Sequence, residues 1–217
     1  MTYSDLYFHE KLSALPGETR ELFLEKSTDT TFRIVNGRFE PMGRSETYGV
    51  SLLQTSGTER YFRAGESLDG LGDIFDRGMQ LNLPKESVLW SPTGKTYTFQ
   101  ERESLEDIEK CVRLVRSASE KYLPKYPWIS SHVIGGGFWN RSYIAVTSRT
   151  AGGSDSQYQY RIFLMLTGSR DGIQQEYFQS ITGVDDLSQV NEDAIYKLFE
   201  MSIERLDELL SAPVAPS

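Results

Sequence analysis

Residues 158–181 read YQYRIFLMLTGSRDGIQQEYFQSI. Tyr158, Tyr160, Ile162, Leu164 and Leu166 fall on every second position, the period of a strand with one buried face. Gly168-Ser169-Arg170-Asp171-Gly172 is turn chemistry. Ile173 to Ile181 returns as a second strand. Two strands joined by so short a turn form an antiparallel hairpin. Upstream, Tyr143 to Ser148 supplies another strand. Downstream, Ile195, Leu198, Phe199, Ser202, Leu206, Leu209 and Leu210 repeat at three and four residues. That is the stripe of a helix running from Val190 to Leu210, with Asn191 as its N-cap.

The first half shows the same order. Ser4 to Leu15 is expected as a short helix, broken by Pro16-Gly17. Leu22 and Leu24 mark one strand, and Phe32 and Ile34 mark the next. Asn36-Gly37 follows, a hairpin signal because both residues tolerate positive φ. Tyr48, Val50 and Leu52 share a strand face, and Thr55-Ser56-Gly57 turns the chain into Arg60 to Ala64. Ser67 to Gln80 is expected as a helix capped by Ser67, weakened by Gly70, Gly72 and Gly78. Residues 82–103 are turn-rich, then extended at Thr96 to Phe99. Ser104 caps a helix whose stripe is Leu105, Ile108, Val112, Val115, Ser119 and Tyr122, ended by Pro124. The expected fold is α+β: a largely antiparallel or mixed β-sheet packed against helices, with strands then helix occurring twice.

Composition narrows the function. The net charge of −8 and the lack of any basic run longer than two residues argue against nucleic-acid binding. One cysteine, Cys111, excludes an intrachain disulfide and a thiolate metal cluster. No apolar run approaches the length of a membrane span. Met1 to Leu15 lacks the basic start and apolar core of a signal peptide, so a cytoplasmic protein is expected.

The chemical motifs fail on their own requirements. Ser91-Pro92-Thr93-Gly94-Lys95-Thr96 ends like a phosphate-binding loop, but Leu89 stands where glycine is needed and a β-prone run follows. Gly135-Gly136-Gly137 lacks the third fingerprint glycine, since position 140 is Asn140, and reads as a flexible loop or bulge. His9-Glu10 is followed by Ser13 where a zincin carries its second histidine, and His132 has no neighbouring ligand. Ser67 and Ser154 are not in a nucleophile elbow. Cys111 lies on the apolar side of its helix as a packing residue. Glu101 with Glu103, and Asp185 with Asp186, read as solvated or helix-start charges. No catalytic or metal-binding set is assembled, and no cofactor is expected in this chain. The aromatic stretch from residue 126 to 160 packs the core. Phe138, Trp139, Tyr158 and Tyr160 are the candidates from it for a peptide- or partner-binding groove.

Several segments, in order, resemble the N-terminal domain of the TldD/PmbA family, metallopeptidases also called modulators of DNA gyrase. The segments are Phe32-Arg33-Ile34-Val35-Asn36-Gly37, Glu40, Gly49-Val50-Ser51-Leu52-Leu53, Gly57 and Tyr61-Phe62-Arg63-Ala64. Ser67-Leu68 and Val146-Thr147-Ser148-Arg149 continue the series. Leu210-Ser211-Ala212-Pro213-Val214-Ala215-Pro216-Ser217 matches its closing stretch. The strand at Gly49-Val50 lacks the arginine often found there, and Asp69 to Leu81 lacks the usual alanines.

The resemblance implies a single domain over residues 1–217, with residues 211–217 beginning a linker to a C-terminal domain. In the family that domain carries the zinc-binding HExxxH helix, and here no histidine follows His132. The implied role is a non-catalytic half of a peptidase, contributing a dimer interface and a cleft for peptide or unfolded protein. The implied partner is a family subunit, as homo- or heterodimer. The alternative is a stand-alone binding partner of a separate peptidase subunit. No nucleic acid or membrane is expected as a partner.

Overall fold

A computed structural model describes residues 2–4, 12, 18–66, 96–100, 104–148, 152–185 and 187–212. The strands are β1 (Thr2–Ser4), β2 (Glu18–Val35), β3 (Arg38–Ser56), β4 (Glu59–Gly65), β5 (Thr96–Thr98), β6 (Ile129–Thr147), β7 (Gly153–Arg170) and β8 (Ile173–Val184). Two α-helices, α1 (Leu105–Tyr122) and α2 (Glu192–Ser211), follow β5 and β8. The sheet order is β4-β3-β2-β6-β7-β8, with β1 and β5 paired apart from it. Among the described residues the fold is therefore mostly antiparallel β-sheet, with α1 and α2 as its long helices.

Several strands are longer than hydrophobic alternation alone predicts. Leu22–Leu24 and Phe32–Ile34 belong to one strand, β2, not two. Every even position from Arg20 to Ile34 is buried, including Lys26, Thr28 and Thr30. The inward face stays in register while its chemistry turns polar, and the apolar signal lapses there.

Two of the two-residue hairpin turns have positive φ at both positions. Asn36 (φ 49°) and Gly37 (φ 78°) join β2 to β3, and Asp171 (φ 52°) and Gly172 (φ 81°) join β7 to β8. Positive φ at both positions matches the twist of the flanking strands. The turn predicted over Gly168 to Gly172 is thus shorter, and Gly168 lies inside β7. A Cβ there would sit 2.8 Å from Leu210 and 3.1 Å from Leu206, so glycine lets α2 approach the strand.

The chain divides into two compact units. The first comprises Met1–Thr28, Glu46–Arg102 and Asn140–Gln157. Its core gathers Leu12, Leu22, Leu24, Val50, Leu52, Tyr97, Phe99, Ile144 and Val146. The Gln100 backbone N–H donates to Ser142 Oγ at 2.8 Å, and Asn140 Nδ2 donates to the Gln100 carbonyl at 3.3 Å. These bonds satisfy buried polar groups and pin the chain just after β5. Of the helix predicted over Ser4 to Leu15, Ser4 instead ends β1 and Leu12 is helical and buried. The rest lies outside the described residues, as do the helix predicted over Ser67 to Gln80 and the tail from Pro213.

The second unit comprises Asp29–Ser45, Glu103–Trp139 and Tyr158–Ser217. Its core joins β7 residues Ile162, Leu164 and Leu166 to Ile108, Val115 and Ala118 of α1 and Ile195, Phe199 and Leu206 of α2. On α1 the predicted stripe is shifted slightly. Leu105 is 49% exposed, while Cys111 and Ala118 are buried. On α2, Ile203 is buried in place of Leu209. Ser104 and Asn191 cap the helices as predicted, with Asn191 Oδ1 accepting from the Ala194 N–H at 2.9 Å. Among the described residues no helix is long and apolar enough to cross a membrane.

Candidate functional site: an aromatic cleft on the second unit

The three glycines predicted as a loop form the middle of β6 instead, and all three are buried. Their lack of side chains is used for close ring packing, not for a turn. A Cβ on Gly135 would lie 2.5 Å from Phe163 Cζ, and one on Gly137 would lie 2.6 Å from Trp139 Cζ2. One on Gly136 would collide with the ring of Phe32. Aromatic rings thus pack closely against a bare strand, a pairing that compensates glycine within a sheet.

This packing opens a cleft of about 550 Å³ whose lining includes Gly136, Gly137, Trp139 and Phe163. The lining also takes in Phe178 from β8 and Arg161 from β7, with Thr31, Arg33 and Glu40 on β2 and β3. Met165 pairs with Phe178, Phe163 with Ser180, and Arg161 with Thr182. Alternation therefore puts Arg161 and Phe163 on the face opposite Ile162 and Leu164, which enter the helix-covered core.

The rings are ordered. Phe163 and Phe178 stack with centroids 5.7 Å apart and planes at 27°. The Arg161 guanidinium lies 5.1 Å from the centroid of Phe178. Arg33 and Glu40 approach to 4.0 Å with both side chains about half exposed, a weak, solvent-screened pair. A smaller cleft of about 390 Å³ lies in the first unit, lined by Glu21, Phe23, Thr147 and Gly153 among others.

Of the four aromatic candidates, only Trp139 lines the larger cleft. Phe138, Tyr158 and Tyr160 are buried in the core of the second unit. The Tyr158 N–H donates to Asp185 Oδ1 at 3.0 Å, and Tyr160 packs its ring against Gly183. Sequence reasoning missed Arg161, Phe163 and Phe178. The signal was the odd-numbered residues of the same alternating strand, which must face away from the core.

Among the described residues the remaining motifs form no second centre. Burial pushes the Cys111 thiol up to about 11, which suits a packing residue and not a nucleophile. His132 is half-buried, and burial holds its imidazole below the ordinary histidine value. Its backbone N–H donates to Asn36 Oδ1 at 2.8 Å, tying β6 to the first hairpin turn. Among the described residues, no group of three His, Cys, Asp or Glu side chains is placed to hold a metal. His9, Ser67, Ser91 to Lys95, Glu101, Glu103 and Asp186 lie outside the described residues.

No protein-family model matches the sequence, and no curated protein matches it at a significant level. Solved structures do match in fold. A proposed modulator of a DNA gyrase from Thermotoga maritima aligns over 93% of this chain and 46% of its own, at TM-score 0.69 and 14% identity. A proposed modulator of DNA gyrase from Bacteroides thetaiotaomicron aligns over 98% of this chain and 50% of its own, at TM-score 0.61 and 12% identity. TldE from Thermococcus kodakarensis aligns over 93% and 46%, at TM-score 0.60 and 15% identity. These neighbours are TldD/PmbA family proteins, so the likeness drawn from sequence holds at the level of fold. The chain spans about half the length of the structures it matches.

Proposed function

We propose that this chain acts as the non-catalytic N-terminal half of a TldD/PmbA-like peptidase and binds peptide in an extended form. The observation that carries the proposal is the fold likeness, which takes in nearly all of this chain and about half of each family protein. On this reading the chemistry, including any zinc, belongs to a C-terminal domain or partner subunit. This half helps form the dimer interface and the substrate cleft.

The local geometry supports peptide binding. β8 is an edge strand of twelve residues in the sheet order. From Ile173 to Val184 it carries no lysine, arginine or proline, the residues that commonly block an edge against a further strand. A peptide added to that edge would gain main-chain hydrogen bonds, and its alternate side chains would face the aromatic cleft.

The test is binding of unfolded, fluorescently labelled peptide by anisotropy. We expect saturable binding that drops at least about tenfold when Ser180→Lys and Thr182→Lys are combined, since edge lysines oppose strand addition. An unchanged affinity in the folded double variant would refute the edge as the binding element. Recovery from the host of a complex with a longer family subunit would test the dimer role.

A further inference from the structure

The cleft beside β8 has a charge pattern that an apolar groove does not need. Among the described residues Arg161 meets no carboxylate within ion-pair distance and instead lies over the ring of Phe178. Arg33, among the described residues, shares only the long contact to Glu40. Two guanidinium groups and one carboxylate thus border an aromatic floor, on a chain whose net charge is −8. A guanidinium stacked on a ring keeps its donor fork in the plane, directed sideways, where it can take a carboxylate by two parallel hydrogen bonds. Phe178 is 47% exposed, and the Arg161 guanidinium over its ring lines the cleft with it.

We infer that this cleft is a carboxylate-selective subsite for an extended peptide: an apolar side chain enters between Trp139, Phe163 and Phe178, and an acidic side chain pairs with Arg161. The inference rests on the peptide-binding reading above and adds its selectivity. The spacing follows from strand geometry. Residues two apart on a strand share a face and lie about 6.6–6.8 Å apart. A peptide strand beside Phe178 and Ser180 would therefore present a Phe-x-Glu pattern to Phe178 and to the Arg161 guanidinium, because Arg161 is rooted opposite Thr182 and its side chain runs back along the sheet to within 5.1 Å of the Phe178 centroid. The positive border also distinguishes acidic from basic peptides before contact.

The probes are two labelled peptides, Lys-Thr-Phe-Thr-Glu-Thr-Val-Lys and the same peptide with Gln in place of Glu. Each is titrated against the whole chain by fluorescence anisotropy at low and at physiological salt. We expect the Glu peptide to bind about tenfold tighter, the scale of a charge-assisted pair. That preference should shrink with salt and vanish in Arg161→Gln. Arg161 is exposed, so the variant is expected to keep the wild-type fold, and circular dichroism checks this. If the variant does not fold, the salt dependence of the wild-type preference decides alone. Equal binding of both peptides by the wild type would overturn the subsite while leaving peptide binding intact. A preference that survives in folded Arg161→Gln would overturn the role of Arg161. Binding of neither peptide would overturn both this inference and the function it rests on.

Discussion

Glycine and histidine show how single residues set the second unit. Gly136 faces the ring of Phe32, and any side chain there must displace that ring or the strand. We expect Gly136→Val to cost about 1–3 kcal/mol, the range for overpacking a filled interior, measured as a shift of the urea midpoint. His132 gives a pH effect whose sign is fixed. Its folded-state value lies below the ordinary 6.5 because burial disfavours the imidazolium. The unfolded chain therefore takes up the proton first as pH falls. The stability from this group is fully present above pH 6.5 and is lost as pH drops through the lower, folded-state value. His132→Gln should flatten the stability curve in that window, and an unaltered slope would show that other groups carry it. Neither role was legible in sequence, where Gly135-Gly136-Gly137 suggested a loop and His132 only a residue without ligand partners. Ring packing against a bare strand depends on residues about a hundred and about thirty positions away.

At the scale of elements, caps act locally and were read correctly, while the turn between β7 and β8 was located but read three residues too long. Asn191 Oδ1 bonds the Ala194 N–H at 2.9 Å, so Asn191→Ala is expected to cost about 1 kcal/mol. Ser104 makes the corresponding bond to Asp107 at the longer distance of 3.3 Å, so Ser104→Ala should cost less. Thermal or urea unfolding of the two variants side by side checks the order. Strand lengths were read less well. In β2 the buried face runs through Lys26, Thr28 and Thr30, and an alternation sought in apolar residues stops there. In β7 the same periodicity placed Ile162 and Leu164 in the core, and its odd positions already held the cleft residues Arg161 and Phe163.

At the scale of the whole molecule, each unit closes around its own apolar core, and the larger cleft lies within the second. The sequence holds two histidines and one cysteine, which leaves few side chains suited to a zinc centre. We expect residues 1–217 alone to release no fragments from an unfolded, labelled protein, with or without added zinc. Chelator-sensitive cleavage by this chain would sink the assignment of a non-catalytic half. A longer natural form would be detected by its intact mass in the host.

The sequence by itself determined local features: the caps Ser104 and Asn191, the positive-φ turns at Asn36-Gly37 and Asp171-Gly172, and the alternation of β7. These depend on residues within a few positions of one another, where periodicity and side-chain chemistry act directly. It also carried the family likeness, through the order of its segments. Only the tertiary structure decided that Gly135 to Gly137 form a strand interior, that Tyr158 and Tyr160 are buried while Trp139 lines the cleft, and that the Arg161 guanidinium lies over the ring of Phe178. Those outcomes depend on which strands become neighbours, because a side chain's exposure is set by what packs across from it.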